Sequence, residues 1–156
     1  LIQSDDVETF AEKPEMEAEK IANRVQTYLQ EGVYNFICLN FPNPDMVAHT
    51  GNISAAKEAV DIVDKQVRDI VSCCLSQDGR VVITSDHGNA EKMLTSDGNP
   101  VTEHTSSKVP LIIVDEELPD DTNMSQGKLA DIAPTLLKLM DLDSPEDMTG
   151  DIILNL

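Results

Sequence analysis

Arginine is scarce in this chain. Arg24, Arg68 and Arg80 are its only arginines, and lysine and arginine together number 11 against 29 aspartates and glutamates. The formal charge is −18, a surface that repels nucleic acid and anionic membranes and argues against both as partners. An anionic small molecule meets the same field. Bound divalent cations can reverse its sign locally, and an arginine clamp on such a substrate has to come from elsewhere. Cysteine is limited to Cys38, Cys73 and Cys74. The number is odd, two are adjacent and no CxxC pair occurs, which points to buried thiols in a reducing compartment rather than a disulfide framework. The chain has no basic-plus-apolar leader and no apolar run long enough to span a bilayer. A cytoplasmic location follows as the expectation, and the opening at Leu1 rather than Met suggests a processed or partial product.

Against these shortages stand 156 residues with 40% apolar content, enough for one domain with a core. Residues 1–13 are polar and weakly patterned. A helix is expected from Pro14, with Glu15, Glu17 and Glu19 suiting its N-terminus, Met16, Ile21, Ala22, Val25, Tyr28 and Leu29 on one face and Gly32 at its end. Tyr34–Leu39 reads as a short buried strand, and residues 40–52 as a loop. Ile53, Ala56, Val60, Val63, Val67, Ile70, Val71 and Cys74 recur at helical spacing, and Gln77-Asp78-Gly79 ends that helix. Arg80–Thr84 is the next strand, residues 90–108 a polar excursion, and Val109–Val114 a third strand. An acidic loop over 115–127, a helix over Leu129–Met140 and an irregular cap over 141–156 complete the chain. Helices alternating with strands predict an α/β layer fold with a largely parallel sheet. Ligands collect beyond the carboxyl ends of such strands, where Asp45 and Asp86 fall.

All three histidines lie in short motifs beside carboxylates and small residues. Asp45 and His49 are four apart, a spacing that puts both on one face of a helical turn. Asp86-His87-Gly88 follows a strand, where glycine lets neighbouring side chains converge. His104 lies in Thr102-Glu103-His104-Thr105. Each has a plainer reading: a solvated acid–histidine pair, an ordinary Asp-Gly turn, a structural histidine. Together they leave no histidine unaccounted for. Neutral imidazole with ionised carboxylate suits Mn, Zn, Co or Fe. Asn43 and Asn89 flank the motifs and could orient ligands. The adjacent cysteines and the Leu129–Met140 stripe are read as packing, Asp115–Asp121 as a solvated loop, and Lys57 and Lys92 as ordinary surface lysines.

Assembled, these words resemble the cofactor-independent (2,3-bisphosphoglycerate-independent) phosphoglycerate mutase family of the alkaline phosphatase superfamily. The resemblance rests on Lys13-Pro14-Glu15-Met16, Asn43-Pro44-Asp45-Met46-Val47-Ala48-His49-Thr50-Gly51 and Thr84-Ser85-Asp86-His87-Gly88-Asn89-Ala90-Glu91. His104-Thr105, Leu129-Ala130-Asp131-Ile132-Ala133-Pro134-Thr135 and Met148-Thr149-Gly150 extend it over roughly residues 7–153. NPDMV-x-HTG followed by SDHGNAE is specific to the family, whereas DHG alone marks only the superfamily. Ala48, where the family usually has glycine, and Phe41-Pro42 before Asn43 are departures.

The resemblance implies an alkaline-phosphatase-like fold and two divalent metal ions, typically manganese, with zinc or cobalt as alternatives. Asp45, His49 and His104 would hold one ion, and Asp86 and His87 part of the other. It implies that residues 1–156 are the C-terminal portion of the metalloenzyme domain. The nucleophilic serine, an aspartate ligand and the substrate-binding domain belong to segments not found here, so no catalytic residue is nominated. The implied reaction is the interconversion of 3-phosphoglycerate and 2-phosphoglycerate through a phosphoserine, with the missing N-terminal part of the enzyme as partner and the isolated chain inactive. A non-catalytic metal-binding remnant and another hydrolase of the superfamily are the alternatives.

Overall fold

The computed structural model describes residues 2–101, 103–119 and 121–155. Leu1, Thr102, Asp120 and Leu156 lie outside the described residues, and with them the opening at Leu1, the first residue of the His104 motif and part of the acidic stretch. In chain order the helices are α1 (Ala18–Glu31), α2 (Asn43–Ala48), α3 (Ile53–Leu75) and α4 (Ile132–Leu139). The strands are β1 (Val81–Thr84), β2 (Leu111–Val114), β3 (Asn123–Met124) and β4 (Leu154–Asn155), and 3-10 turns cover Phe10–Glu12 and Leu129–Asp131.

α1 starts later than Pro14. Met16 has a φ of 43°, outside the helical region, so the chain makes a turn before the helix begins at Ala18. Gly32 closes α1 at a φ of 60°, and its N–H reaches the carbonyls of Leu29 and Tyr28, the left-handed cap that glycine adopts without a Cβ clash. The Asn52 side chain caps α3 by accepting from the Ala55 N–H. α3 is the spine of the fold. One stretch buries Ala55, Ala56 and Ala59 against Val47 and Ala48 of α2 and Met93. Further along, Ile70 packs on Ala22 and Val25 of α1, with Leu29, Ile37 and Phe41 at the margin. Small residues let the helix axes approach closely, and a fully buried valine such as Val47 contributes about 1.5–3 kcal/mol. Cys73 sits in the α1–α3 seam, its thiol turned to the Gln26 carbonyl, and all three cysteines are free.

Four further readings of the sequence are corrected. Tyr34–Leu39 is irregular, with a bend at Asn35, and belongs to no ladder among the described residues, and Val33, Tyr34 and Phe36 are exposed. A segment with strand-forming side chains becomes a strand only where a neighbour takes its N–H and C=O groups. The predicted parallel sheet is also replaced. Among the described residues the sheets are small and antiparallel, with β1 beside β2 in the register Val81↔Val114 to Thr84↔Leu111, and β3 beside β4. The excursion from Ser85 to Pro110 leaves the end of β1 and returns to that same end, so β2 must run backwards; a parallel partner needs a crossover to the far end. Finally, the 40–52 loop contains the short helix α2, with Pro44 in its first turn, and Asp115 is not solvated but pairs with Arg80 at 2.8 Å. No helix among the described residues is long and apolar enough to cross a membrane.

Candidate metal centre

α2 delivers the first two candidate ligands. Its helical geometry continues through His49 (φ −59°, ψ −18°), so Asp45 and His49 lie one turn apart on one face, with Asp45 Oδ1 3.3 Å from His49 Nε2. Burial of Val47 and Ala48 against α3 turns that face outward from the core. His104, from the polar excursion, comes to the same point. Its Nε2 lies 3.4 Å from Asp45 Oδ1 and 3.3 Å from His49 Nε2.

His87 arrives from the turn after β1. Its ring stacks on that of His104 with centroids 3.6 Å apart and planes 11° from parallel, and Asp45, His87 and His104 each offer a ligand atom within 4.8 Å of the others. Asp86 stands apart: its carboxylate is mostly exposed and its partner is His87 Nε2 at 3.6 Å. The structure therefore gathers Asp45, His49, His87 and His104, and leaves Asp86 at the rim. Asn89 is the inner neighbour. It is buried, donates to Asp45 Oδ1 and has its amide nitrogen 3.0 Å from His49 Nε2. Asn43 is not part of this group. Its amide points away, donating to the carbonyls of Pro14 and Glu15 at 2.9 and 2.8 Å.

The donor set fits a divalent cation. Ligand atoms about 2.1 Å from one tetrahedral ion stand roughly 3.4 Å apart, and the Asp45–His49–His104 triangle has sides of 3.3, 3.4 and 3.3 Å. Nδ1 of His87 is buried without a hydrogen-bond partner, a polar atom that an ion or its bound water satisfies. Imidazole with a single carboxylate is the chemistry of Mn, Co, Zn or Fe rather than of calcium.

Glu91, which the sequence reading passed over except as part of a motif, lies just beyond. Hydrogen bonds from Thr105 first, and then from Ser107, hold its carboxyl down to about 2. The signal that could have found it is its place four residues after His87, facing the segment that carries His104. The arginines are occupied elsewhere: Arg80 with Asp115 and Glu117, Arg68 beside Asp69, Arg24 over the Tyr28 ring.

A family model described as "Metalloenzyme superfamily" matches residues 1–144. The chain is 46% identical over 151 residues to the 2,3-bisphosphoglycerate-independent phosphoglycerate mutase of Clostridium tetani, covering 96% of this chain and 29% of that protein. It is 42% identical over 157 residues to the mutase of the same description from Rippkaea orientalis, covering 96% and 30%. Among solved structures, a Leishmania mexicana phosphoglycerate mutase crystallised at low cobalt concentration superimposes with a TM-score of 0.89 at 32% identity, covering 99% of this chain and 31% of that one. The chain thus spans a little under a third of the length of the relatives it matches.

Proposed function

Because this chain belongs to the metalloenzyme superfamily, we propose that it is the C-terminal, metal-holding part of a 2,3-bisphosphoglycerate-independent phosphoglycerate mutase. In that reading Asp45, His49 and His104 hold one divalent ion, and Asp86 and His87 contribute to a second, with manganese first and cobalt or zinc as alternatives. The observation that carries it is the closed donor triangle of Asp45, His49 and His104. The specific likeness to phosphoglycerate mutases over nearly all of the chain supports the choice of reaction.

A divalent cation held there lowers the pKa of an attached hydroxyl and offsets the negative charge of a phosphate. This chain's own contribution is the fixed ligand geometry. Asp45 and His49 are set by one helical turn, and Asn89 donates to Asp45 so that its carboxylate keeps one orientation. Catalysis requires a serine to accept the phosphoryl group from one hydroxyl of glycerate and return it to the other. The reading assigns that serine, and the basic groups that bind phosphoglycerate, to a complementing segment that also covers the exposed irregular run from Val33 to Leu39. Cytoplasmic glycolysis is the corresponding setting.

The test has two stages. In calorimetric titration with Mn²⁺ or Co²⁺ the chain is expected to bind, and His104→Ala or His49→Ala to weaken binding by at least about tenfold; unchanged affinity sinks the ligand assignment. The chain is then mixed with the N-terminal remainder of a homologous mutase and 2-phosphoglycerate production is followed. Metal binding without turnover in a stable complex favours a non-catalytic metal-binding module instead.

A further inference from the structure

We infer that Glu91 is a positioning residue, the clamp that carries His104 to Asp45, His49 and His87; the inference deepens the metal-site reading and rests on it. His104 is the candidate ligand with the least support of its own. It lies in the excursion between β1 and β2, outside any helix or named strand, and its side chain is 47% exposed. Its position depends on what fastens its loop.

The fastening is local. Thr105, next to His104, forms an isolated antiparallel bridge with Gly88, next to His87. The Thr105 N–H reaches the Gly88 carbonyl at 2.8 Å. The Thr105 hydroxyl donates to Glu91 Oε1 and accepts from the Ser107 N–H at 3.3 Å. One carboxylate thus holds the hydroxyl of the residue that forms the bridge to Gly88 and directly follows the candidate ligand His104. The loops meet so closely that a Cβ on Gly88 would collide with the Thr105 hydroxyl and come within 2.7 Å of Glu91 Oε1 and 3.2 Å of Ser107 Cβ; a larger residue at 88 would have to push these side chains aside.

The consequence is the stack of His87 on His104 at 3.6 Å, which follows once the residues beside both rings are tied together. Glu91 itself touches none of the candidate ligands. Its low carboxyl pKa is a sign of the same hydrogen bonds and adds that the acceptor is ionised across the physiological range.

The test uses the 156-residue chain and two readouts. The first needs no metal: the ring resonances of His104 by NMR, which the stacked His87 ring displaces. Glu91→Ala and Thr105→Val are expected to move them toward free-imidazole positions, while Glu91→Gln and Thr105→Ser keep them near their original places. The second is Co²⁺ titration by calorimetry and visible absorption, in which Glu91→Ala and Thr105→Val should weaken binding by about tenfold or more, and Glu91→Gln and Thr105→Ser by under about threefold. Unchanged His104 resonances in Glu91→Ala overturn the clamp. A loss in Glu91→Gln as large as in Glu91→Ala overturns it too, because the effect would then be charge rather than a hydrogen bond. If Glu91→Ala fails to fold by circular dichroism, the Thr105 pair decides. Resonances that respond as expected in a chain that binds no Co²⁺ support the clamp and sink the metal reading, so the two fail separately.

Discussion

Two asparagines near the centre do different work, although both flank its motifs. Asn43 is fully buried and ties the turn before α1 to α2 through the carbonyls of Pro14 and Glu15. Removing it leaves the buried Pro14 carbonyl without its donor, while the Glu15 carbonyl keeps the Ala18 N–H, so Asn43→Ala is expected to cost about 1–3 kcal/mol, read as a lower thermal midpoint, with Mn²⁺ affinity per folded molecule unchanged. Asn89 touches two candidate ligands, and Asn89→Ala should lower metal affinity by about tenfold with a small effect on melting, as calorimetry with Mn²⁺ can check. Glu91 gives a pH dependence. Its carboxyl sits at about 2 in the folded chain against an ordinary 4.5, so the folded state binds this proton more weakly than the unfolded chain. The stabilisation is present above about pH 4.5 and is lost as pH falls toward 2. Glu91→Gln should therefore be less stable than the parent at pH 7, and the gap should close in acid. A constant gap between pH 7 and pH 2.5 in denaturant titrations would contradict this.

At the scale of elements, the three longer helices and the strand segments Arg80–Thr84 and Val109–Val114 were readable, but the pairing of strands was not. α1, α3 and α4 follow from apolar residues at helical spacing, a signal carried within one segment. Their ends follow from local chemistry at Gly32 and Asn52. Strand pairing is not local. Tyr34–Leu39 and Val81–Thr84 have similar side chains, yet only the second finds a partner, β2. β3 and β4 pair Asn123 with Asn155 and Met124 with Leu154, two-residue strands too short for any alternation to announce them. α2 shows the reverse: the Asp45–His49 spacing was meaningful because the segment is a helical turn, although its prolines and length suggested a loop.

For the whole molecule, the irregular run from Val33 to Leu39 is the surface most open to contact with other chains. Val33, Tyr34 and Phe36 are each more than half exposed, and the backbone beside them forms no ladder. Exposed apolar side chains of this kind adhere to other chains, while the charge of −18 opposes close contact between copies. The net expectation is concentration-dependent self-association that rises with salt as the repulsion is screened. Sedimentation velocity at low and high ionic strength tests it, and Phe36→Glu should suppress it. A monodisperse monomer at high salt would show that the run is not adhesive.

The sequence alone determined the three longer helices, the acidic balance and the identity of the candidate ligands, because helical periodicity, charge and side-chain chemistry are properties of short segments. Tertiary structure decided which ligands meet. His104 lies 55 positions from His49 and reaches within 3.3 Å of it through a bridge between Gly88 and Thr105 that no spacing rule describes. The antiparallel course of the sheet was decided there too, since strand direction depends on where a connection re-enters the sheet, and that is settled by packing over distances the local sequence does not encode.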